Sequence, residues 1–159
     1  MSASLSHSSP RVLIVCLGNI CRSPSAEAVF RKRAEDAGLA IEVDSAGTYG
    51  GHAGARPDAR AQAAGERRGY DFSNIYARQI TASDFSYFSH ILAADKQNLA
   101  DLSAICPAEH RHKIALLLSK SEGGEGQEVP DPYYGTEQGF EQVLDLVESA
   151  CDAWLADVR

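Results

Sequence analysis

The order of apolar segments predicts an α/β fold in three layers, with one four-stranded parallel sheet and helices on both faces. Two observations carry this. Val12-Leu13-Ile14-Val15 is a short, continuous and mostly β-branched run, the pattern of a strand buried on both sides. After it, strand-like and helix-like segments alternate to the end of the chain, with no repeat, low-complexity block or interdomain linker between them.

The elements follow in order. Ala26, Val29, Phe30 and Ala34 recur at helical spacing, so a helix runs from about Ser25 to Ala37, and Gly38 stops it. Ile41 to Ser45 is the second strand. Gly47 to Pro57 is a glycine-rich loop, and Asp58 to Arg68 an alanine-rich helix closed by Gly69. Thr81-Ala82-Ser83-Asp84 caps a short helix through Phe88. His90 to Ala94 is the third strand, and Lys96 to Ile105 a helix ended by Pro107. Lys113 to Leu118 is the fourth strand. Ser119 to Pro130 reads as loop and continues through Asp131-Pro132-Tyr133-Tyr134-Gly135. Thr136 to about Asp157 is a long helix with Phe140, Val143, Leu144, Val147, Cys151, Trp154 and Leu155 on its apolar stripe.

The 159 residues suit one domain, placed at 11–159, behind a short disordered tail from Met1 to Pro10 that lacks the apolar core of a signal peptide. A net charge of -7 argues against nucleic acid as a partner. The longest apolar runs are strand-sized, which argues against membrane insertion. Four cysteines, Cys16, Cys21, Cys106 and Cys151, are too few for a disulfide scaffold, so a reducing cytoplasm is the expected compartment. Cys106 and Cys151 fit helix packing.

Ligands of parallel sheets bind at the carboxyl ends of strands. Cys16 stands there, and Cys16-Leu17-Gly18-Asn19-Ile20-Cys21-Arg22-Ser23 links the first strand to the first helix. A Cys six residues before an Arg means little alone; four cysteines and eleven arginines give about 0.3 such pairs by chance. Its place between strand and helix is what makes it a phosphate-binding loop after the first strand. There the N–H groups of Leu17, Gly18, Asn19, Ile20, Cys21, Arg22 and Ser23 converge near a helix N-terminus. Gly18 and Asn19 tolerate the positive φ that such a curl needs. Arg22 can hold two phosphate oxygens in a fork. Ser23 either caps the helix or donates to the sulfur, and the whole setting favours a thiolate at Cys16. A zinc site at Cys16 and Cys21 lacks two further ligands, and His110-Arg111-His112 reads as a solvated loop. No metal or other cofactor is expected.

At these residues the sequence resembles the low-molecular-weight protein tyrosine phosphatases. Val15 through Pro24 matches the signature loop, and the likeness continues through Asp44-Ser45-Ala46-Gly47, Pro57-Asp58-Ala59-Arg60, Ala77-Arg78-Gln79-Ile80 and Asp131-Pro132-Tyr133-Tyr134. The resemblance implies hydrolysis of phosphotyrosine and aryl phosphate monoesters through a phosphocysteine. It makes Cys16 the nucleophile, Arg22 the phosphate clamp, and Asp131 the general acid and then general base. It assigns loop support to Asn19, Ser23 and Ser45. It makes Leu17, Ile20, Tyr49 and Tyr133 walls for an aromatic ring, with loop packing the alternative, above all for Tyr49. It makes Tyr134 either a further wall or an exposed phosphorylation target, and Cys21 a redox partner of Cys16. Its expected partners are phosphotyrosine proteins, with a tyrosine kinase as one candidate, and the chain is expected as a monomer or weak dimer. One position departs from the pattern: Ile75 stands where many members carry a His that supports the loop Asn, which opens the question of what holds Asn19.

An arsenate reductase on the same fold would relay oxidation through mid-chain cysteines, and Thr81 to Asp95 contains none. A silent phosphotyrosine-binding module would have no need to keep Cys16, Arg22 and Asp131 together.

Overall fold

The computed structural model describes residues 9–121, 123–133 and 135–158. The tail expected at Met1 to Pro10 and the Tyr134 wall lie largely or wholly outside these residues. Four strands form one parallel sheet in the order β2-β1-β3-β4. They are β1 (Arg11–Cys16), β2 (Glu42–Gly47), β3 (His90–Ala93) and β4 (Ile114–Leu116). Among the described residues five α-helices accompany them: α1 (Arg22–Asp36), α2 (Ala59–Arg67), α3 (Ala82–Tyr87), α4 (Lys96–Ile105) and α5 (Glu137–Val158).

Alternation along β1 builds the layers. Val12, Ile14 and Cys16 share one core with residues of α1, α2 and α5, among them Phe30, Ala64, Val147 and Cys151. Leu13 and Val15 share the other with Phe85, Phe88 and Leu102 from the α3–α4 side. Period-two alternation thus sends successive β1 side chains into opposite helical layers, so both must be apolar. β1 also lies where the strand order reverses, between β2 and β3, and its carboxyl end opens into the crevice that such a reversal leaves.

The boundaries differ from expectation in three places. Helix α1 begins at Arg22 rather than near Ser25, because the loop closes directly into the first helical turn. Strand β2 continues to Gly47, where Cys16 pairs with it in register. The fourth strand is only three residues long. Ala108–Lys113 before it and Leu117–Lys120 after it are 3₁₀ turns. Leu117 turns out of the edge so that its carbonyl accepts the indole N–H of Trp154 at 2.7 Å. His110-Arg111-His112 accordingly belongs to a 3₁₀ turn, though with no buried residue.

The expected stops and caps are present. Gly38 takes φ +70° after α1, Asp58 accepts the N–H of Arg60 at the start of α2, and Asp84 accepts the N–H of Thr81 at 2.7 Å at the start of α3. No helix among the described residues is long and apolar enough to cross a membrane.

Candidate active site

The loop after β1 curls because Asn19 adopts φ +57°. Asn is one of the few non-glycine types that tolerates this region. Gly18, expected to share the role, does not adopt positive φ. Its missing side chain serves space instead: a Cβ there would stand 2.9 Å from Cδ2 of His52. Gly47 serves space too, since a Cβ on it would lie 2.6 Å from the Leu17 carbonyl oxygen.

Asn19 is buried, and every polar atom of its side chain is engaged. Its Oδ1 accepts the backbone N–H of Arg78 at 2.9 Å, which fixes the orientation of the amide. Its Nδ2 donates to Ser23 Oγ at 2.8 Å and to Ser45 Oγ at 3.0 Å. Each hydroxyl accepts from Asn19 and so has its own hydrogen to give onward. Ser23 Oγ lies 2.9 Å from Cys16 Sγ, and Ser45 donates to Glu27 Oε1 at 2.5 Å. The Asn19 N–H adds a second donor to the sulfur at 3.3 Å. Ser23 therefore does not cap α1; Cys21 occupies the cap position with no side-chain bond.

This answers the question raised at Ile75. The protein holds Asn19 by a backbone N–H and two serines. Ile75 is buried in the core shared with Phe72. Glu27 closes the network as a buried carboxylate, paired with Arg31, whose guanidinium also donates to the Val43 carbonyl at 2.8 Å. Burial pushes the Glu27 carboxyl above its ordinary range, opposed by the Ser45 hydrogen bond and by Arg31.

Arg22 is only 4% exposed. Its Nη1 donates to Asp95 Oδ2 at 2.7 Å and to the Val129 carbonyl at 3.0 Å. Its Nη2 lies 3.7 Å from Asp131 Oδ2. Burial works against the guanidinium charge, but Cys16, Asp95 and Asp131 outweigh it and raise its pKa further.

Cys16, Leu17, Gly18, Ile20, Cys21 and Arg22 form the floor and one side of a cleft, with Tyr49, His52, Asp131 and Tyr133 around it. Leu17, Tyr49 and Tyr133 are substantially exposed at the rim. Tyr49 meets His52 edge to face at 6.0 Å between ring centroids, and its phenol end lies over Gly51, where an added Cβ would collide with the hydroxyl. Asp131 is half exposed, and its Oδ1 accepts the Tyr133 N–H at 3.1 Å. Cys21 is a buried thiol whose pKa is pushed up to about 12, first by burial and then by Asp58, Cys16 and Asp131. All four cysteines are free. Among the described residues no group of three or more His, Cys, Asp or Glu could hold a metal ion.

Sequence reasoning gave no role to Glu27, His52, Asp95 or the Arg78 main chain. Two of them carried a legible signal. Glu27 stands inside the apolar run Ala26-Glu27-Ala28-Val29, where a carboxylate must be buried and partnered. Asp95 follows directly on the third strand, at the end where parallel sheets place their sites.

Comparison with known proteins agrees with this geometry. The family model described as low molecular weight phosphotyrosine protein phosphatase matches residues 11–159. A low molecular weight protein-tyrosine-phosphatase of Streptomyces coelicolor is 47% identical over 154 residues, covering 94% of this chain and 93% of its own. A human low molecular weight phosphotyrosine protein phosphatase is 44% identical, covering 91% of this chain and 92% of its own. Among solved structures, an Entamoeba histolytica protein tyrosine phosphatase with Hepes in its active site superposes with a TM-score of 0.89 at 41% identity, covering 94% of this chain and 96% of its own. Vibrio vulnificus Wzb in complex with benzylphosphonate superposes with a TM-score of 0.83 at 30% identity, covering 93% and 98%. With its four-stranded parallel sheet, its curled loop at the end of β1 and these matches over nearly its whole length, the chain belongs to the low molecular weight phosphotyrosine protein phosphatase family.

Proposed function

We propose that the protein hydrolyses phosphotyrosine and related aryl phosphates in two steps at Cys16, with residues 11–159 acting as one catalytic unit. The observation that carries the reading is the approach of Asp131, from a loop more than a hundred residues away, to the loop that holds Cys16 and Arg22. Cys16 Sγ faces the hydroxyl of Ser23, Arg22 lines the same cleft, and Asp131 stands 3.7 Å from Arg22.

In the first step the Cys16 thiolate attacks phosphorus while the bond from phosphorus to the phenolic oxygen breaks. Asp131 gives its proton to that oxygen, and a neutral phenol leaves. In the second step water attacks the phosphocysteine, Asp131 takes a proton from the water, and the sulfur departs as thiolate with orthophosphate released. The Ser23 hydroxyl, which accepts from Asn19 and can give its hydrogen to sulfur, stabilises that departing thiolate. The N–H groups of Leu17 through Ser23 and the Arg22 guanidinium hold the equatorial phosphate oxygens, whose charge persists through the transition state. Arg22 suits this task because Asp95 and Val129 fix one side of its fork and leave Nη2 towards the cleft.

Leu17, Ile20, Tyr49 and Tyr133 give the cleft apolar walls for a flat ring. A phosphotyrosine protein, a tyrosine kinase being one candidate, is the proposed substrate, met in a reducing cytoplasm. Asp131→Ala tests the reading. Its turnover of aryl phosphates should fall by about 100-fold or more while substrate binding persists; unchanged turnover would remove Asp131 from the mechanism.

A further inference from the structure

Arg60 stands outside the chemistry just described, yet it connects the two loops that must act together. Its guanidinium is held against Asp58 by two bonds, Nε to Oδ1 at 3.1 Å and Nη2 to Oδ2 at 2.9 Å. The same Nη2 donates to the Tyr133 carbonyl at 2.8 Å. Its flat face lies 4.7 Å from the ring centroid of Phe140, a buried residue of α5, and 5.8 Å from that of Tyr133.

Both ends of this arrangement lead to the site. The N–H of Asp58 donates to the Ile20 carbonyl at 2.8 Å, so Asp58 is anchored to the loop that carries Cys16. At the other end, the N–H of Tyr133 binds Asp131 Oδ1 at 3.1 Å. Arg60 and Asp131 therefore hold the two main-chain polar atoms of one residue. The two groups lie in adjacent peptide planes joined at the Tyr133 Cα, so releasing the carbonyl frees the short segment that also carries the N–H bound to Asp131.

We infer that Arg60 is a positioning residue, a strut that fixes how far the Asp131 carboxyl stands from the phosphate loop and so governs protonation of the leaving oxygen. The inference rests on Asp131 being the proton donor. Hydrogen bonding to Arg60 also holds the Asp58 carboxyl below the usual carboxylate range, so the anchor stays charged at neutral pH. A guanidinium suits the place because a planar fork can meet a carboxylate on one edge, a carbonyl on another and a ring on its face. A lysine ammonium placed at Nη2 can meet Asp58 and Tyr133 but lacks the second bond, from Nε to Asp58, that fixes the orientation of the guanidinium.

The test uses leaving-group dependence, which a general loss of stability does not change. Proton donation matters most for a poor leaving group such as tyrosine, with a pKa of about 10, and least for an activated nitrophenyl ester. The purified full chain and its Arg60→Ala, Arg60→Lys and Asp131→Ala variants are compared by kcat/KM on phosphotyrosine and on the nitrophenyl ester, with thermal melts alongside. In Arg60→Ala, kcat/KM on phosphotyrosine should fall about tenfold more than on the nitrophenyl ester, since a small misplacement forfeits much of the acid's contribution. Arg60→Lys should show the same bias at smaller size, and it decides alone if the alanine variant does not fold. Equal losses on both esters in the Arg60 variants, with the bias intact in Asp131→Ala, would overturn the strut and leave the acid standing. Absence of bias in Asp131→Ala would overturn both.

Discussion

Ser45 gives its hydroxyl hydrogen to Glu27 across 2.5 Å while it receives the Asn19 amide at 3.0 Å. A single direction of donation therefore runs outward from Asn19, to a buried carboxylate at one end and to the sulfur of Cys16 at the other. The carboxylate end matters because a serine without an acceptor is free to rotate, and an Asn held at positive φ depends on its side-chain partners.

Glu27→Ala should therefore loosen the loop from behind. Removing the acceptor leaves the buried Ser45 hydroxyl with an unmet donor, at a cost of about 1–3 kcal/mol in stability. The kcat/KM for aryl phosphates should fall about tenfold, by the fold-change that 1.4 kcal/mol represents. Glu27→Gln keeps an oxygen for Ser45 and should recover most of the activity while recovering less of the stability, because the Arg31 pair is lost. Urea melts and steady-state kinetics on both variants separate the two effects. Equal activity in the alanine variant and the parent would mean that Ser45 does not need Glu27.

Cys21 should protect rather than react first. Its thiol, pushed up to about 12, is essentially un-ionised at neutral pH, so peroxide attacks Cys16 in preference. The sulfenic acid at Cys16 then condenses with the Cys21 thiol, releasing water and forming a disulfide that added thiol reduces. After peroxide treatment, Cys21→Ser should lose activity irreversibly, whereas the parent recovers on incubation with thiol. Full recovery of the variant would remove Cys21 from this role.

Stability should fall on acidification through a group outside the loop that carries Cys16. Asp84 is buried at the start of α3, and it receives Arg78 Nη1 at 2.9 Å and the Thr81 N–H at 2.7 Å. Burial alone would raise its pKa, but Arg78 and Thr81 outweigh burial and lower it below 3.8. A depressed folded-state pKa means that the unfolded chain binds the proton first. The stabilisation is complete above the unfolded value and disappears as pH falls through the folded one. Glu27 runs the other way, since its raised pKa favours the folded state at low pH and the advantage is lost as pH rises. Urea melts between pH 7 and pH 2 should therefore show a loss below about pH 4 that is shallower in Asp84→Asn. An identical slope in the variant would exclude Asp84 as a source.

The sheet and the curled loop after β1 were legible because their signals are local. A buried strand, a residue that accepts positive φ and an Arg at the start of a helix all lie within twelve residues, Arg11 to Arg22. The edge strand was less legible. Ile114 to Leu118 is apolar throughout, and the Trp154 indole that takes the Leu117 carbonyl just past the strand end lies 37 residues away in sequence. Asp131 shows the same limit. An Asp before a Pro reads as a turn, and what distinguishes this one is Arg22, more than a hundred residues earlier. The Ile75 question was open for a similar reason, since the donor that replaces a side chain there is a main-chain N–H of Arg78, and main-chain groups leave no trace in residue type.

The two halves of the site are built to different standards of permanence. Cys16 ends β1, one of the two strands hydrogen-bonded on both edges, and Val12 through Val15 are at most 3% exposed. Amides there can exchange with solvent only when the whole molecule opens. Asp131 and the aromatic rim ride on surface loops held by a few side-chain contacts. On the function proposed above, sequence drift in the rim can therefore retune which proteins are admitted while the loop after β1 keeps its shape, so descendants of this chain can exchange clients without relearning how to handle phosphate.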